Sequence, residues 1–380
     1  MSSSQELHDR LMETMRPLVE VTNIKQLTNW VWIVVGICLA KSIALSQIAL
    51  YIPGEAKAES RVTRIRRWLM NLKVDVWAFY RPILEHVLEG FRGMDVTIIL
   101  DGTQVFGNRW TIFRLSLVHK GRAIPIVWKV IKGKGNTQVP KLEAMLLQAA
   151  RCLRPLVKSV TFLADRGFQD CDWASLCLKM GWHFDIRLPK SICVTLSDGK
   201  QCRIDQLGVS PGRRRYFQDV LFTQQAKLCA HLSVGWTEGD QTNPPEILAV
   251  MSDQPACRKR IQEYGLRMQI EESFKDDKTG GFDIDHTRLK HSERLERLLL
   301  AVAVATLWCH ELGEHVLEQG EDCRRQIDPG KDRELSIFQL GLRWLKRCVA
   351  VAIHLLPVFV ARLSPRKLKP VVRLIPSGVT

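Results

Sequence analysis

Two aspartates of the chain each follow a short apolar segment rich in β-branched residues. Asp101 comes after the segment 95–100, and Asp165 comes after the segment 159–164. A carboxylate at the carboxyl end of a strand projects from the sheet edge, where open α/β sheets bind ions and ligands. If the two strands are neighbours, the two carboxylates can share a metal ion. An aspartate after a strand also commonly begins a turn, so these positions alone leave both interpretations open.

A third acid, Glu271, lies between cationic side chains in a segment with helical spacing. At about 100° per residue, one side of an α-helix over 264–278 would present this acid, cations and a phenol within a sector of roughly 80°. The residues are Tyr264, Arg267, Glu271, Lys275 and Lys278. A surface stripe of weak i,i+4 ion pairs explains the pattern. A site in which Glu271 binds metal and the cations bind phosphate explains it equally well.

The charge balance of the chain indicates a polyanionic partner. Lysine and arginine number 55 against 40 acids in 380 residues, which gives a net charge of +15. Nucleic acid is the usual partner for such a surplus, although a merely basic enzyme is the alternative. The cysteines form no C-x-x-C pair, so neither a disulfide framework nor a zinc site is expected.

The apolar runs of the chain are short. The runs 30–40 and 298–309 are too short to span a bilayer, and the N-terminus has no apolar region of a signal peptide. These features predict a cytoplasmic, nucleoid-associated protein without membrane segments.

The middle of the chain has the element order of a ribonuclease H-like mixed sheet, which predicts an α/β fold class. The predicted elements are strands at 95–101, 110–118 and 123–131, a helix at 139–153, a strand at 159–165, a helix at 173–180 and a strand at 183–188. Glycine-containing turns between the first three strands favour an antiparallel meander. Residues 192–255 are predicted to form a β-rich insertion, after which helices dominate.

The N-terminal region is predicted to be helical and to contact DNA. Segments 42–51 and 56–72 are amphipathic and are separated by the turn residues Pro53 and Gly54. The second segment carries Arg61, Arg64 and Arg67. Two short helices with an arginine-rich second member suit a helix-turn-helix motif. The alternative is a solvated basic helix on a helical bundle.

These patterns divide the chain into five predicted regions. They are a helical DNA-binding region (1–90), the first part of the ribonuclease H-like core (91–190), a β-rich insertion (191–255), the second part of the core with Glu271 (256–320) and a helical, basic C-terminal region (321–380).

Three motifs in this order resemble those of one enzyme family. Residues 264–278 match Y-x2-R-x3-E-x6-K, and they follow LDGT around Asp101 and ADRGF around Asp165. The motifs resemble those of bacterial insertion-sequence transposases of the DDE, cut-and-paste type, and the similarity covers about 95–310. It implies a ribonuclease H-like core with an insertion before the glutamate helix, and a helical N-terminal region that binds the transposon ends.

The resemblance also implies a role for each motif residue. Asp101, Asp165 and Glu271 match the catalytic triad that binds two Mg²⁺ ions, for which Mn²⁺ substitutes. Tyr264, Arg267 and Lys278 match positions that hold DNA near the cleaved phosphate. Apart from the resemblance, Lys275 on the same predicted side of the helix and Arg166 directly after Asp165 are further candidates for phosphate contact. The implied partners are double-stranded DNA, at the transposon ends and at the target, and a second copy of the chain in a synaptic homodimer.

The chain departs from the family pattern at one position. Well-studied relatives carry a tryptophan directly after the motif arginine, where it helps to hold a flipped base, and this chain has Met268 there. Trp236 in the insertion is a candidate for base stacking instead, although a buried strand residue is the simpler interpretation.

Three other functions are compatible with parts of the sequence. A structure-selective nuclease would use the same acids without strand transfer, and a non-catalytic DNA-binding protein derived from a transposase would keep the charge. A metal phosphohydrolase for small substrates would not require the excess of basic residues.

Overall fold

The computed structural model describes residues 3–20, 23–134, 139–222, 228–239, 244–286, 288–351 and 353–365. Its helices are α1 Ser3–Leu18, α2 Ile24–Ala40, α3 Leu45–Ile48, α4 Ala58–Met70, α5 Val76–Leu88, α6 Val139–Leu153, α7 Cys171–Met180, α8 Arg258–Tyr264, α9 Met268–Lys275, α10 Ser292–Glu318, α11 Glu321–Arg325 and α12 Ile337–Val351. Its strands are β1 Asp95–Val105, β2 Trp110–His119, β3 Arg122–Lys132, β4 Ser159–Ala164, β5 His183–Leu188, β6 Cys193–Thr195, β7 Gln201–Arg203, β8 Arg215–Phe222, β9 Leu228–Trp236 and β10 Ile247–Ser252.

The strands form one mixed sheet in the order β3-β2-β1-β4-β5-β10-β9-β8-β6-β7. The first three strands pair antiparallel as a meander, and β1, β4 and β5 pair parallel. The helix between β1–β3 and β4 and the helix between β4 and β5 make the crossovers that parallel pairing requires. The predicted ribonuclease H-like mixed sheet with helical regions at both ends is confirmed.

The β-rich insertion continues this sheet instead of forming a separate layer. Strand β10 pairs antiparallel with β5, and β9 and β8 follow outward from it. An uncovered edge of β5 would leave a row of unpaired backbone groups, which the insertion satisfies. The insertion therefore widens the sheet beyond β5. The start of β10 lies at the end of the sheet that carries the carboxyl ends of β1, β4 and β5.

Helices cover the two faces of the sheet. On one face, Phe162 of β4 stacks on Trp173 of α7. On the other face, Leu163 of β4 and Ile99 of β1 form a buried cluster with Ile270 of α9. Since side chains alternate between faces along a strand, residues two positions beyond Ile99 and Leu163 also lie on the α9 face.

The N-terminal and C-terminal helices pack around α10, whose central residues are buried. Close backbone contact with α12 requires glycine, because a β-carbon at Gly341 would lie 1.7 Å from the carbonyl oxygen of Cys309. The apolar α2 is buried beside α10, and its core is continuous with that of the sheet. The division into five regions stays a prediction. The basic tail predicted after α12 lies mostly outside the described residues.

Among the described residues, no single helix has both the length and the hydropathy to cross a membrane. Helix α2 and the segment Leu45–Tyr51 reach those values only together, and they are bent by 99° relative to each other.

Candidate active site

Asp101 and Asp165 lie next to each other across two parallel strands. The pairing of β1 with β4 ends at Leu100 and Ala164, and the two aspartates are the next residues in that register. Asp165 ends its strand as predicted and accepts a hydrogen bond from the backbone N–H of Gly167 at 2.8 Å. The prediction that Asp101 ends its strand is wrong. Strand β1 continues to Val105, because β2 still pairs with it beyond Asp101.

Glu271 reaches the same place from α9. The buried side chains Ile270 and Phe274 hold this helix on the sheet face that carries both aspartates. The hydroxyl of Ser273 accepts a hydrogen bond from the N–H of Ala123 at 2.7 Å, which ties the helix to β3. Glu271 and Asp101 are bound to one guanidinium, that of Arg267.

Arg267 is the cation between two of the three acids. Its Nη1 donates to Oδ2 of Asp101 at 3.0 Å, and its Nη2 donates to the carboxylate of Glu271. The Arg267 side chain is only 11% exposed. Burial alone would lower the pKa of this guanidinium, but electrostatic interactions with Tyr264, Glu271 and Asp101 outweigh burial and raise it. Arg267 is therefore fully charged inside an acidic site.

Asp101 titrates unusually high for an aspartate. Burial raises its pKa to about 6, Arg267 opposes that shift, and the negative charges of Asp165 and Glu271 add to it. The effect of Asp165 and Glu271 on Asp101 is that of like charges sharing one site. A cation placed beside Asp101 would stabilise the ionised form.

The segment that carries Glu271 is not one straight α-helix. Helix α8 ends at Tyr264, a 3₁₀ turn spans Gly265–Arg267, and α9 gives way to a π-turn at Asp276–Gly280. The predicted single face over 264–278 is therefore wrong beyond α9, since the backbone of Lys278 has non-helical angles. Arg267 and Glu271 still lie on one side of the segment as predicted. The backbone angles stay helical where the 3₁₀ turn continues into α9.

Lys278 and Lys275 diverge after this change of direction. The ammonium of Lys278 donates to the carbonyl oxygen of Gln104 at 2.9 Å, which places it beside the extension of β1 past Asp101. Lys275 is exposed and pairs with Glu272 at 2.5 Å. Glu272 also lies 3.9 Å from Arg122.

Two buried ion pairs anchor the π-turn to the sheet. Arg114 of β2 pairs with Asp277, and Arg122 of β3 binds Asp276 at 2.5 Å. The guanidinium of Arg114 also lies 4.5 Å from the centre of the Phe274 ring. The sequence analysis missed these residues. The only sequence signal was the acid pair directly before Lys278, whose partners are more than a hundred residues distant.

The chemistry of the three acids suits divalent metal ions. Carboxylate oxygens without histidine or cysteine are the donors that Mg²⁺ prefers. Among the described residues, no three His, Cys, Asp or Glu side chains stand close enough together to hold a metal ion as placed. The guanidinium of Arg267 binds both Asp101 and Glu271 and supplies a positive charge there.

Comparison with known protein families decides the assignment. Residues 94–308, more than half of the chain, match the family model described as "Transposase DDE domain". The chain belongs to this transposase family. Members of the family are DNA transposases that use divalent metal ions.

Two further comparisons accompany this match. Comparison with curated proteins finds no match for this transposase. Among solved structures it is similar to the piggyBac transposase synaptic complex with hairpin DNA, determined by cryo-EM, with 9% sequence identity and a TM-score of 0.43. That similarity covers 90% of this chain and 77% of the other.

Tyr264 of the transposase lies inside the protein. It is 5% exposed and packs with Leu248, Val250 and Ile261. Burial raises the pKa of Tyr264 to about 12, so the phenol is neutral. Arg267, Asp165 and Asp101 interact electrostatically with the Tyr264 hydroxyl, but the hydroxyl itself is buried.

Arg187 is a second cation of the site that the sequence analysis missed. Strands β4 and β5 pair up to Ala164 and Ile186, so Arg187 is the residue beside Asp165. Both Arg187 and the exposed Arg166 bind Glu246, over 2.5 and 3.2 Å. Nothing in the sequence distinguished Arg187 from the other residues of a predicted strand.

The remaining candidates lie away from the acids. Trp236 is half-buried at the end of β9, and its indole N–H donates to the carbonyl oxygen of Val209 at 2.7 Å. Arg61 donates to the carbonyl oxygens of Ile52 and Gly54, and Arg64 binds Asn29.

These arginines belong to α4. The exposed Arg64 and Arg67 line a cleft of 290 Å³ between the start of α2 and α4. The segment predicted as the first amphipathic helix, 42–51, contains only the short α3 and a single 3₁₀ turn.

Proposed function

We propose that this chain is a bacterial insertion-sequence transposase of the Y-R-E-K type, acting in the cytoplasm. It binds the terminal inverted repeats of its element, cleaves DNA at the transposon ends and joins the freed 3′-hydroxyl to target DNA. The observation that carries the proposal is that Arg267 binds both Asp101 and Glu271, with Asp165 next to Asp101 in the strand register, in a chain of the DDE transposase family.

The three acids are proposed to hold two Mg²⁺ ions, with Mn²⁺ as a substitute. Such a metal pair supplies charge stabilisation for the attacking and leaving oxygens of an in-line displacement. Asp101 is partly buried and accepts a hydrogen bond from the N–H of Gly102, and Asp165 is held by the N–H of Gly167, so both carboxylates are already oriented. Arg267 competes with any cation for Asp101 and Glu271, which makes it the residue that must move when the acids take up metal.

The cations around the acids are proposed to bind the phosphates of double-stranded DNA. Arg267 and Lys278 flank the acids, while Arg166 and Lys275 lie exposed nearby, where they can exchange a carboxylate partner for a phosphate. Tyr264 supports Arg267 from within the core. Arg61, Arg64 and Arg67 are proposed to act in recognition of the transposon ends, with a homodimer bringing two ends together.

A gel of DNA products tests the proposal. A duplex carrying an element end is incubated with Mg²⁺ and the wild-type chain or the Asp101→Ala variant, and a pre-cleaved end is offered together with target DNA. We expect cleavage and strand-transfer products from the wild type only, with both proteins bound to the end. Nicking by Asp101→Ala in Mg²⁺ would falsify the assignment. Cleavage without strand transfer would instead indicate a nuclease.

A further inference from the structure

The insertion brings its own strand ends to the edge of the sheet that carries the acids. Strand β10 runs antiparallel to β5, so its first residue lies at the same edge as the end of β5. Strand β9 ends at this edge beside the start of β10, and β8 starts there beside the end of β9. The edge is therefore continuous from Asp101 to the residues that precede β8.

This edge is rich in basic side chains. They are Arg166 after β4, Arg187 and Lys190 at the end of β5, and Arg213 and Arg214 before β8. In the described part of the insertion, the acids at this edge are Glu246 before β10 and Glu238 after β9. We call the five basic residues the insertion rim.

Two residues of the insertion rim, Arg187 and Arg214, lie on the same side of the sheet as the acids. Arg187 pairs with Val250, and Val250 packs with Tyr264 on the face covered by α8. The side chain of Arg214 lies against Gly235 of β9, which also contacts Ile261 of α8. The rim and the acids thus border one surface.

The geometry points to a DNA-binding track, in which the insertion rim holds the phosphate backbone of duplex DNA beyond the cleaved position. This inference rests on the proposed function. Strand β8 lies four strands away from β4 in the sheet, a distance of about 19 Å. At 3.4 Å per nucleotide along one strand, that length corresponds to about five to six base pairs.

The contacts within the rim agree with such a role. Glu246 binds Arg166 and Arg187, so a phosphate that replaces this carboxylate meets a pair of guanidinium groups already positioned. Arg213 is exposed, and in the described part of the chain no ion pair involves its side chain. By contrast, Arg215 serves the fold, since it binds the carbonyl of Leu207 and lies 4.9 Å from the Phe217 ring centre.

Binding to a fluorescent random-sequence duplex, measured over a range of salt concentrations, tests the inference. The variants are Arg213→Glu and the double variant Lys190→Ala/Arg213→Ala. The matched control is Arg151→Glu, an exposed arginine on α6 on the opposite face of the sheet. We expect the slope of log K against log salt to fall by about 1 for each lost phosphate contact. Arg151→Glu should retain the wild-type slope.

A second readout separates binding from chemistry. In single-turnover cleavage of an end-containing duplex, Arg213→Glu should need more protein for half-maximal rate, while the rate at saturation stays that of the wild type. Thermal unfolding of Arg213→Glu should match the wild type, because the side chain is exposed.

The outcomes distinguish the two proposals. If the wild type binds and cleaves DNA but Arg213→Glu keeps the wild-type salt slope and half-saturation, the track is refuted while the transposase function stands. If the wild type neither binds nor cleaves the duplex, the proposed function fails and the track fails with it.

Discussion

Nη1 of Arg267 lies 3.0 Å from Oδ2 of Asp101, and this contact joins the helical segment before Glu271 to strand β1 of the sheet. The same guanidinium binds Glu271, so one arginine relates an acid at position 101 to an acid at position 271. A buried, charged group shared by two carboxylates orients both of them. It also means that the acids are preorganised around a positive charge before any metal ion or DNA arrives.

The two adjacent glutamates of α9 should differ sharply in function. Glu271 binds Arg267 beside Asp101, whereas Glu272 pairs with Lys275. We expect Glu271→Gln to reduce Mg²⁺-dependent end cleavage to the level of the uncatalysed control, because the amide cannot replace the negative charge. Glu272→Gln, the matched control, should keep nearly wild-type cleavage on the same gels. Equal loss in both variants would contradict the assignment of Glu271.

Removal of the Arg267 side chain should impair cleavage without abolishing DNA binding. The site loses the cation that orients Asp101 and Glu271, and a charge contact of this type is worth roughly a hundredfold or more in rate. Single-turnover cleavage by Arg267→Ala measures this effect. Arg258→Ala, at an exposed arginine on α8, is the control and should cleave like the wild type. A wild-type rate for Arg267→Ala would remove Arg267 from the site.

The buried pair of Arg114 and Asp277 should contribute to stability as a unit. Their side chains are 6% and 5% exposed, so Asp277→Ala leaves a buried guanidinium without its carboxylate. We expect a loss of roughly 3–5 kcal/mol in the free energy of unfolding. The double variant Arg114→Met/Asp277→Leu should recover most of it. Urea unfolding of the single and double variants measures both values, and a double variant no more stable than Asp277→Ala would contradict the interpretation.

Asp185 should make the stability depend on pH. Burial raises its pKa to about 7 from the ordinary 3.8, and Arg260 opposes the shift. The folded state therefore binds a proton that the unfolded state releases. The contribution of Asp185 to the free energy of unfolding is complete below about pH 4 and is lost as pH rises to about 7. Relative to the wild type, Asp185→Asn should be more stable at pH 8 than at pH 5. Urea unfolding at both pH values checks this prediction. A stability difference between the variant and the wild type that is the same at pH 5 and pH 8 would contradict it.

Much of the architecture was predictable from local patterns. The helix at 139–153 and the strand at 183–188 have the bounds that apolar periodicity predicted, because each buries one side or both along its whole length. The end of β1 was not predictable in this way. The residues 102–104 after Asp101 are polar or small, and their pairing with β2 keeps them extended.

The candidate site was predictable to the extent that its residues stand in motifs. The neighbouring residues in the chain were enough to predict Asp101, Asp165 and Glu271 as site residues. The structure brings Asp101 and Glu271 to one guanidinium. Arg114, Arg187 and Asp277 were not predicted from the sequence. Their significance depends on partners in other elements, and no local spacing encodes such a partner.

The sequence alone determined which residue types were available and which elements they would form, because charge, periodicity and turn residues act over a few neighbouring positions. Only the tertiary structure decided that the insertion would lengthen the central sheet, that the helix of Glu271 would bend at Lys278, and that Arg187 would stand beside Asp165. Those outcomes depend on strand register and on burial against distant segments, where the free energy of packing outweighs local preference.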